Sequence, residues 1–463
     1  MEHPLHPTDT PEQLDNKIVR GLIICALAVL ACWATYRFLP FDDSANKGLA
    51  LLVLIAILWL TEAIHVTITA LLIPVTAVLM GIPDMDTKQA LSAFADPIIF
   101  LFFGGFALAS ALHVQKLDKK IAFWLISLSG SHLGITALFM FAVTALLSMW
   151  ISNTATAAMM LPLAMGIMSH LDAKNERSTF LFILLGIAYS ASIGGLGTLV
   201  GSPPNAIAAK ALDLDFSQWM SYGLPLVGVL MPVMMLALFL VFRPNLNRKI
   251  EVKTESIPWT TSRVIAMTIF LITAAAWIFG SWIKSTFNIA SPDTFVALCA
   301  AIAVVVFGVS NWRQISDNTD WGVLFLFGGG LTLSAILRSS GASAVLGDQV
   351  AHFFGSASPL VIIIAVTTFI IILTEFTSNT ASAALLVPVF AGIAEKMGMP
   401  ASVLVMMIGI GASCAFMLPV ATPPNAIVFG TGVIKQSDML KAGGLLNILC
   451  IVILSAWGYL FLM

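Results

Sequence analysis

The chain has 463 residues, of which 59% are hydrophobic and 10% charged, and its formal net charge is −2 at pH 7. Ordinary soluble domains carry about 25% charged residues, so the composition excludes a soluble globular protein. A near-neutral charge without a long basic run also argues against nucleic acid as a partner. We therefore expect an integral membrane protein, with the lipid bilayer as its surroundings.

Apolar stretches of helix length follow one another along the chain, without the alternation that marks barrel strands. They predict an all-α polytopic membrane fold. Residues 1–17 are polar, lack a signal-peptide pattern and are expected to form a cytoplasmic tail. Eleven full crossings are expected at 18–40, 48–64, 65–82, 96–113, 178–212, 219–242, 263–284, 293–310, 320–338, 400–433 and 441–462.

Two further apolar stretches, 121–171 and 343–397, are each interrupted by Ser-Asn-Thr, and both are predicted to be re-entrant helical hairpins. The interruptions, Ser152-Asn153-Thr154 and Ser378-Asn379-Thr380, lie 226 residues apart. Pro-Pro-Asn also occurs twice, beginning at Pro203 and Pro423 and lying 220 apart. The coincident spacing indicates that the chain is an internal duplication.

The positions of Lys and Arg set the expected orientation. With the N-terminus inside, 15 of the 22 Lys and Arg fall on the cytoplasmic side, and the C-terminus lies outside. The two hairpins then open to opposite sides, which predicts an inverted repeat with its site near the midplane. The expected divisions are scaffold helices at 18–95 and 213–319 with a cytoplasmic linker at 243–262, transport units at 96–212 and 320–433, and a C-terminal helix at 434–463.

Ser, Asn and Thr are strong helix N-caps, and each motif precedes a run of good helix formers that ends at Pro162 or Pro388. Each hairpin tip is therefore expected to begin a half-helix. The free N–H groups and the positive end of the helix dipole would then face the protein centre, where they suit a carboxylate. Asn153, Thr154 and their counterparts Asn379 and Thr380 can add side-chain donors.

Helix cannot run through Pro203-Pro204 or Pro423-Pro424, so carbonyl groups are expected to be free just upstream. Gly201 and Ala421 hold equivalent places there, and carbonyl oxygens of unwound helices are suitable Na⁺ ligands. Ser148 and Thr374 lie one turn before the tips and could add hydroxyls. The alternative is that these hydroxyls only bond to the preceding helical turn.

Neither motif contains Lys or Arg, so a bound dianion would need helix ends and co-bound cations to balance it. This argument predicts cation coupling. Glu375, three residues before Ser378, is a functional candidate because it is an acid within the membrane; a structural hydrogen-bonding role is the alternative.

Three other features carry less weight. Glu62 and His65 have the Glu-x-x-His spacing of di-iron bundles, which leaves a membrane metalloenzyme as a distant alternative. The glycine-rich run 194–197 lacks the context of a nucleotide site. The five cysteines, Cys25, Cys32, Cys299, Cys414 and Cys450, lie in apolar segments without ligand spacing and are expected to be packing residues.

The paired Ser-Asn-Thr tips and the breaks Gly201-Ser202-Pro203-Pro204-Asn205 and Ala421-Thr422-Pro423-Pro424-Asn425 resemble those of the divalent anion/sodium symporter family. The first break has Ser where Thr is frequent in the family. The resemblance implies a homodimer in which a transport domain moves against a fixed scaffold like an elevator. It also implies two sodium sites, the first formed by Ser148, Ser152, Asn153 and Gly201, and the second by Thr374, Thr377, Asn379 and Ala421.

The same resemblance places the substrate at Asn153, Thr154, Ser202, Pro203, Asn379, Thr380, Thr422 and Pro423. Residues and resemblance together predict a sodium-coupled symporter of C4-dicarboxylates such as succinate, malate or fumarate. We expect it in the cytoplasmic (inner) membrane, with no enzymatic activity and no organic cofactor. Proton coupling or exchange, with citrate, sulfate or another anion as the substrate, is the nearest alternative, and a channel is a more distant one.

Overall fold

The computed structural model of the chain describes residues 11–169, 171–172, 175–249, 256–355 and 357–463. These residues form helices and turns, with an isolated bridge between His132 and Lys249. The predicted all-α fold is confirmed. The first ten residues of the predicted tail, and positions 250–255 of the predicted linker, lie outside the described residues.

The described part of the chain contains 22 α-helices and two 3₁₀ turns, at Ala93–Ala95 and Gly195–Gly197. The helices up to the linker are α1 (Pro11–Phe38), α2 (Asp43–Thr61), α3 (Val66–Leu79), α4 (Thr87–Ser92), α5 (Pro97–Val114), α6 (Leu117–Ser127), α7 (Leu133–Ser148), α8 (Asn153–Ile167), α9 (Arg177–Gly194), α10 (Pro203–Ala211) and α11 (Phe216–Phe242). The helices after it are α12 (Thr261–Ile278), α13 (Gly280–Phe287), α14 (Pro292–Val306), α15 (Trp312–Asn318), α16 (Trp321–Ser339), α17 (Ala342–Phe354), α18 (Pro359–Thr374), α19 (Asn379–Lys396), α20 (Ala401–Gly411), α21 (Pro423–Phe429) and α22 (Gln436–Phe461).

Eight helices in the described ranges are long and apolar enough to cross a membrane, or up to ten spans if each bent pair is counted as one. The bent pairs are α13 with α14, at 99°, and α17 with α18, at 115°. Two of the expected crossings contain shorter apolar helices: α3 has 14 residues and α20 has 11. The protein is thus polytopic, and the number eleven stays a prediction.

The two tip half-helices continue past the prolines that end the runs of good helix formers. Pro162 lies inside α8, which continues to Ile167, and Pro388 lies inside α19, which continues to Lys396. A proline removes one backbone donor, but a helix in a membrane protein tolerates it where neighbours or local adjustments satisfy the freed groups.

The two halves share one order of elements. Hairpin α7–α8 is followed by the broken pair α9–α10 and then the long helix α11, just as α18–α19 is followed by α20–α21 and α22. The short half-helices pack across the halves, with α10 against α19 and α21 against α8. These contacts bring both tips and both breaks together between the halves.

Helix α11 falls within the predicted scaffold region 213–319, yet it packs mainly against α9 and α22. Helix α5, at the start of the predicted first transport unit, packs mainly against α14. The boundaries between scaffold and transport units therefore stay predictions, and the packing favours placing α11 with the hairpins and α5 with the scaffold.

Candidate functional site

Each hairpin turns through its Ser-Asn-Thr motif. Helix α7 ends at Ser148 and α8 begins at Asn153; the Ser152 side chain accepts a hydrogen bond from the Ala155 N–H at 3.2 Å. In the second hairpin the Ser378 side chain accepts from the Ala381 N–H at 3.4 Å. The predicted N-caps are confirmed, and each tip is the positive end of a half-helix.

Oxygen atoms converge behind the first tip. The Ser148 hydroxyl donates to the Ala191 carbonyl at 2.7 Å and lies 2.5 Å from the Asn153 amide. That end of the amide is also 3.1 Å from the Ala191 oxygen and 3.3 Å from the Gly201 oxygen. We call these four residues the first oxygen cluster. The structure thus brings together three of the predicted sodium ligands, and Ser152 instead caps the tip helix.

The orientation of the Asn153 amide decides what the first oxygen cluster can bind. In the protein alone, the amide nitrogen satisfies the neighbouring acceptors by donating to Gly201 and Ala191. With the amide oxygen in that place, the cluster becomes a set of carbonyl, hydroxyl and amide oxygens around one point. A hard cation prefers such ligands.

The second tip repeats the arrangement. The Thr374 hydroxyl donates to the Ala412 carbonyl at 2.8 Å and lies 2.6 Å from Asn379 Oδ1. These three residues form the second oxygen cluster. In both halves the hydroxyl bonds across to the broken helix, so it does not merely satisfy its own preceding turn.

Thr377 departs from the predicted set. Its hydroxyl donates to the Leu373 carbonyl at 2.9 Å and lies 2.8 Å from the Ser382 hydroxyl. Ala421, the other predicted ligand of this half, is 7% exposed and lies at the end of the break. The second cluster therefore contains the predicted Thr374 and Asn379, with Ala412 as a carbonyl that the sequence reasoning did not name.

The asparagines of Pro-Pro-Asn hydrogen-bond to backbone carbonyls of the breaks. Asn205 Nδ2 donates to the Gly195 and Thr198 carbonyls, both at 2.7 Å. Asn425 Nδ2 donates to the Ala415 and Leu418 carbonyls at 3.2 and 3.0 Å. Sequence reasoning named neither asparagine as a functional residue, although their repetition in both motifs was a visible signal.

Comparison with known proteins shows the family to which the chain belongs. A family model described as citrate transporter (CitMHS) matches residues 56–399, which is most of the chain. The chain belongs to the citrate transporter family. The expected resemblance is confirmed, and the protein is a multi-pass membrane transporter, not an enzyme.

Three relatives illustrate the range of the family. The chain is 56% identical over 95% of its length to an uncharacterized transporter of Haemophilus influenzae, covering 96% of that protein. It is 38% identical to an uncharacterized transporter of Methanocaldococcus jannaschii, over 90% of this chain and 94% of the other. It is 33% identical to the sodium-dependent dicarboxylate transporter SdcS of Staphylococcus saprophyticus, over 89% of this chain and 86% of that protein.

Among solved structures, the Alcanivorax borkumensis YdaH transporter matches 96% of this chain and 99% of its own, with a TM-score of 0.58 and 14% identity. At that identity the match concerns the fold alone. It agrees with the polytopic helical architecture of this citrate transporter family member.

The predicted substrate residues of this transporter lie around the two tips. Thr154 is exposed in the first turn of α8, and its counterpart Thr380 is half-buried in α19. Ser202 and Thr422, each 3% exposed, directly precede the short helices α10 and α21, which begin at Pro203 and Pro423. The Ser202 hydroxyl lies 3.1 Å from that of Ser413, which joins the breaks of the two halves.

Glu62 and His65, the pair considered for a metalloenzyme, serve the turn between α2 and α3. Glu62 ends α2 in a left-handed conformation with φ 48°, and the His65 side chain caps α3 by accepting from the Thr67 N–H at 3.3 Å. Their spacing therefore has a local structural explanation.

Proposed function

We propose that this transporter is a sodium-coupled symporter of C4-dicarboxylates. The observation that carries the proposal is the matched pair of oxygen clusters, each formed by a hydroxyl, a tip asparagine and a carbonyl of a broken helix. Two such clusters, one behind each tip, are suited to two cations that flank one anion.

The electrostatics of the tips support coupling. Helix N-termini at Asn153 and Asn379 favour an anion, but two half-helix ends supply only about half an elementary charge each. A dicarboxylate carries two negative charges, and neither tip motif contains Lys or Arg. Sodium ions in the two clusters would offset the remaining charge in a low-dielectric site, so anion and cation would bind together.

The substrate class is supported by the chemistry of the tips and by relatives. Hydroxyl, amide and N–H donors from both tips suit a small molecule with a carboxylate at each end. The relatives called sodium-dependent dicarboxylate transporters are 33% identical. Citrate is the second candidate, because the matching family model is described as a citrate transporter.

We also propose how the protein is oriented in the membrane and which part of it moves. We propose an inverted repeat, with the N-terminus cytoplasmic and the C-terminus outside, in the cytoplasmic membrane. The hairpins and broken helices would move as one body against the scaffold of a homodimer and carry the site across the bilayer. The cross-packing of α10 with α19 and of α21 with α8 supports a single moving body.

The test is uptake of radiolabelled succinate into proteoliposomes of the purified protein. An inward Na⁺ gradient is compared with K⁺ or choline, and citrate, sulfate, malate and fumarate are added as competitors. We expect Na⁺-dependent accumulation that malate and fumarate inhibit.

Each other outcome assigns a different function. Uptake that is indifferent to Na⁺ but follows a pH gradient would replace sodium with proton coupling, and uptake that needs internal anion would indicate exchange. Inhibition by citrate alone, with citrate itself accumulated, would favour the second candidate. Flux that never accumulates the substrate against its own gradient would indicate a channel.

A further inference from the structure

Glu375 is a buried carboxylate that accepts hydrogen bonds from several donors, and the proposed function gives it no role. It follows Thr374 at the end of α18 and is only 2% exposed. Its carboxylate accepts from three consecutive backbone N–H groups, those of Phe416 at 2.8 Å, Met417 at 2.9 Å and Leu418 at 3.0 Å. The Asn447 side chain donates to it at 2.6 Å.

In the first half, the backbone of the break is satisfied without a carboxylate. There, residues 195–197 form a 3₁₀ turn directly after α9, so the turn itself satisfies part of its backbone. The position of Glu375 is held by Met149, whose side chain packs near Gly197, and the position of Asn447 is held by Val227. In the second half α20 ends at Gly411 and helix resumes only at Pro423.

The unwound segment 412–422 therefore depends on partners outside itself. Buried N–H groups without partners are costly, and the carboxylate supplies strong charge-assisted bonds to three of them. The same segment provides Ala412 to the second oxygen cluster. Because Glu375 follows Thr374 directly, its carboxylate links the segment that carries the Ala412 carbonyl to the helix end that carries the Thr374 hydroxyl.

The geometry argues against direct binding of an ion by Glu375. Oε1 accepts from Phe416, Met417 and Asn447, and Oε2 accepts from Met417 and Leu418. A cation would have to displace several of these donors. In the described part of the chain no basic side chain pairs with this carboxylate, so its negative charge acts on its surroundings.

We propose that Glu375 is a positioning residue for the second cation site, an inference that rests on the proposed sodium-coupled function. Its carboxylate fixes segment 412–422 so that the Ala412 carbonyl faces Thr374 and Asn379, and its charge raises cation affinity there. The first site has no such carboxylate at Met149, so the two sites differ in cation affinity.

Glu375→Gln tests the charge, because it keeps the size of the side chain. We expect the Na⁺ concentration for half-maximal uptake to rise about tenfold, while the substrate KM at saturating Na⁺ changes less than about twofold. Thermal stabilisation of the purified protein by Na⁺ alone should shift to higher Na⁺ by the same factor. Glu395→Gln, an exposed carboxylate at the end of α19, is the matched control and should leave both curves unchanged.

Asn447→Val separates charge from packing, because it introduces the residue that the first half has at the matching position, Val227. It keeps the carboxylate and its three backbone donors, so we expect less than about a threefold shift in Na⁺ dependence. A shift equal to that of Glu375→Gln would overturn the role of the charge.

Two results would overturn the proposal outright. One is a folded Glu375→Gln protein with the Na⁺ dependence of the parent; the other is an equal loss of Na⁺ affinity, substrate affinity and thermal stability, which a purely structural role predicts. If Glu375→Gln does not fold, Glu375→Asp decides: an unchanged Na⁺ dependence overturns the proposal, and a rise of about threefold supports it. A parent protein without Na⁺-dependent uptake or stabilisation would instead refute the proposed function.

Discussion

The two tip helices have matching sequences but different surroundings. Both tip helices pack within the hairpins and broken helices, α8 against α7, α9 and α21 and α19 against α10, α18 and α20. Helix α19 also packs against α2, α16 and α17. Ala158 on α8 is exposed, whereas its counterpart Ala384 is 1% exposed. A Cβ added to Gly330 of α16 would lie only 3.1 Å from the Ala384 Cβ.

The difference continues along the helices. A Cβ at Gly392 would lie 3.0 Å from the Ser343 Cβ, whereas one at Gly166 would meet nothing within 4 Å among the described residues. Equivalent faces are thus covered in one half and uncovered in the other. A duplicated sequence specifies two similar hairpins, but one arrangement of the molecule covers only one of them. Under the proposed orientation, the hairpin with the uncovered helix opens to the cytoplasm.

The largest expected effect tests whether the two tips are functionally equal despite this difference. Asn153→Ala and Asn379→Ala each remove the amide at the centre of an oxygen cluster. We expect each variant to lower Na⁺-driven succinate uptake by about 100-fold or more, because cation and substrate share the tip. Uptake is measured in proteoliposomes with equal amounts of folded protein.

The control is Asn311→Ala, which removes only the cap of the short surface helix α15 and should transport normally. Normal uptake by either tip variant would contradict the assignment of that tip. Loss in one variant alone would show that only one cluster belongs to the transport site.

The next largest effect on transport is expected at a position where the two halves differ in residue size. A Cβ on Gly195 would lie 2.6 Å from the clustered end of the Asn153 amide and 3.0 Å from the Gly201 oxygen, inside the first oxygen cluster. The matching residue of the second half is Ala415, which already has that methyl group. We expect Gly195→Ala to raise the Na⁺ concentration for half-maximal uptake about tenfold, since overpacking costs about 1–3 kcal/mol.

Ala415→Gly is the matched variant in the other direction and should change Na⁺ dependence by less than about threefold. If Gly195→Ala transports with the Na⁺ dependence of the parent, the first cluster is not a cation site of this shape.

Accessibility of the two tip helices tests the comparison itself. We expect a maleimide in the aqueous phase to label Ala158→Cys on the order of tenfold faster than Ala384→Cys, because burial suppresses thiol reactivity. Labelling is measured in the purified protein and corrected for the parent, which has five cysteines. Equal rates would mean that the protein in solution does not hold the asymmetric arrangement.

The smallest expected effect concerns the link between the breaks. Ser202→Ala and Ser413→Ala each remove a hydrogen bond that contributes about 1 kcal/mol, so each should lower uptake about fivefold or less. The double variant should be no worse than the worse single variant, since both remove one interaction. Additive losses would mean that the two hydroxyls act on separate partners.

Much of this protein is determined locally and is therefore visible in the sequence. Helix-length apolar segments in a bilayer have few alternatives to helix, because backbone groups must be satisfied internally. Ser152 and Ser378 were predictable as caps because capping depends on residues within one turn. The duplication was visible because both motifs recur at nearly one spacing.

Other features were decided only by tertiary structure. Pro162 and Pro388 do not end their helices, because packing in a membrane protein outweighs the loss of one donor. The partners of Glu375 are 41 to 72 residues away in sequence, so no local pattern could name them. The deeper burial of α19 than of α8 follows from how two similar hairpins pack against the rest of the described chain. That choice depends on contacts between distant segments, which a repeated motif alone does not specify.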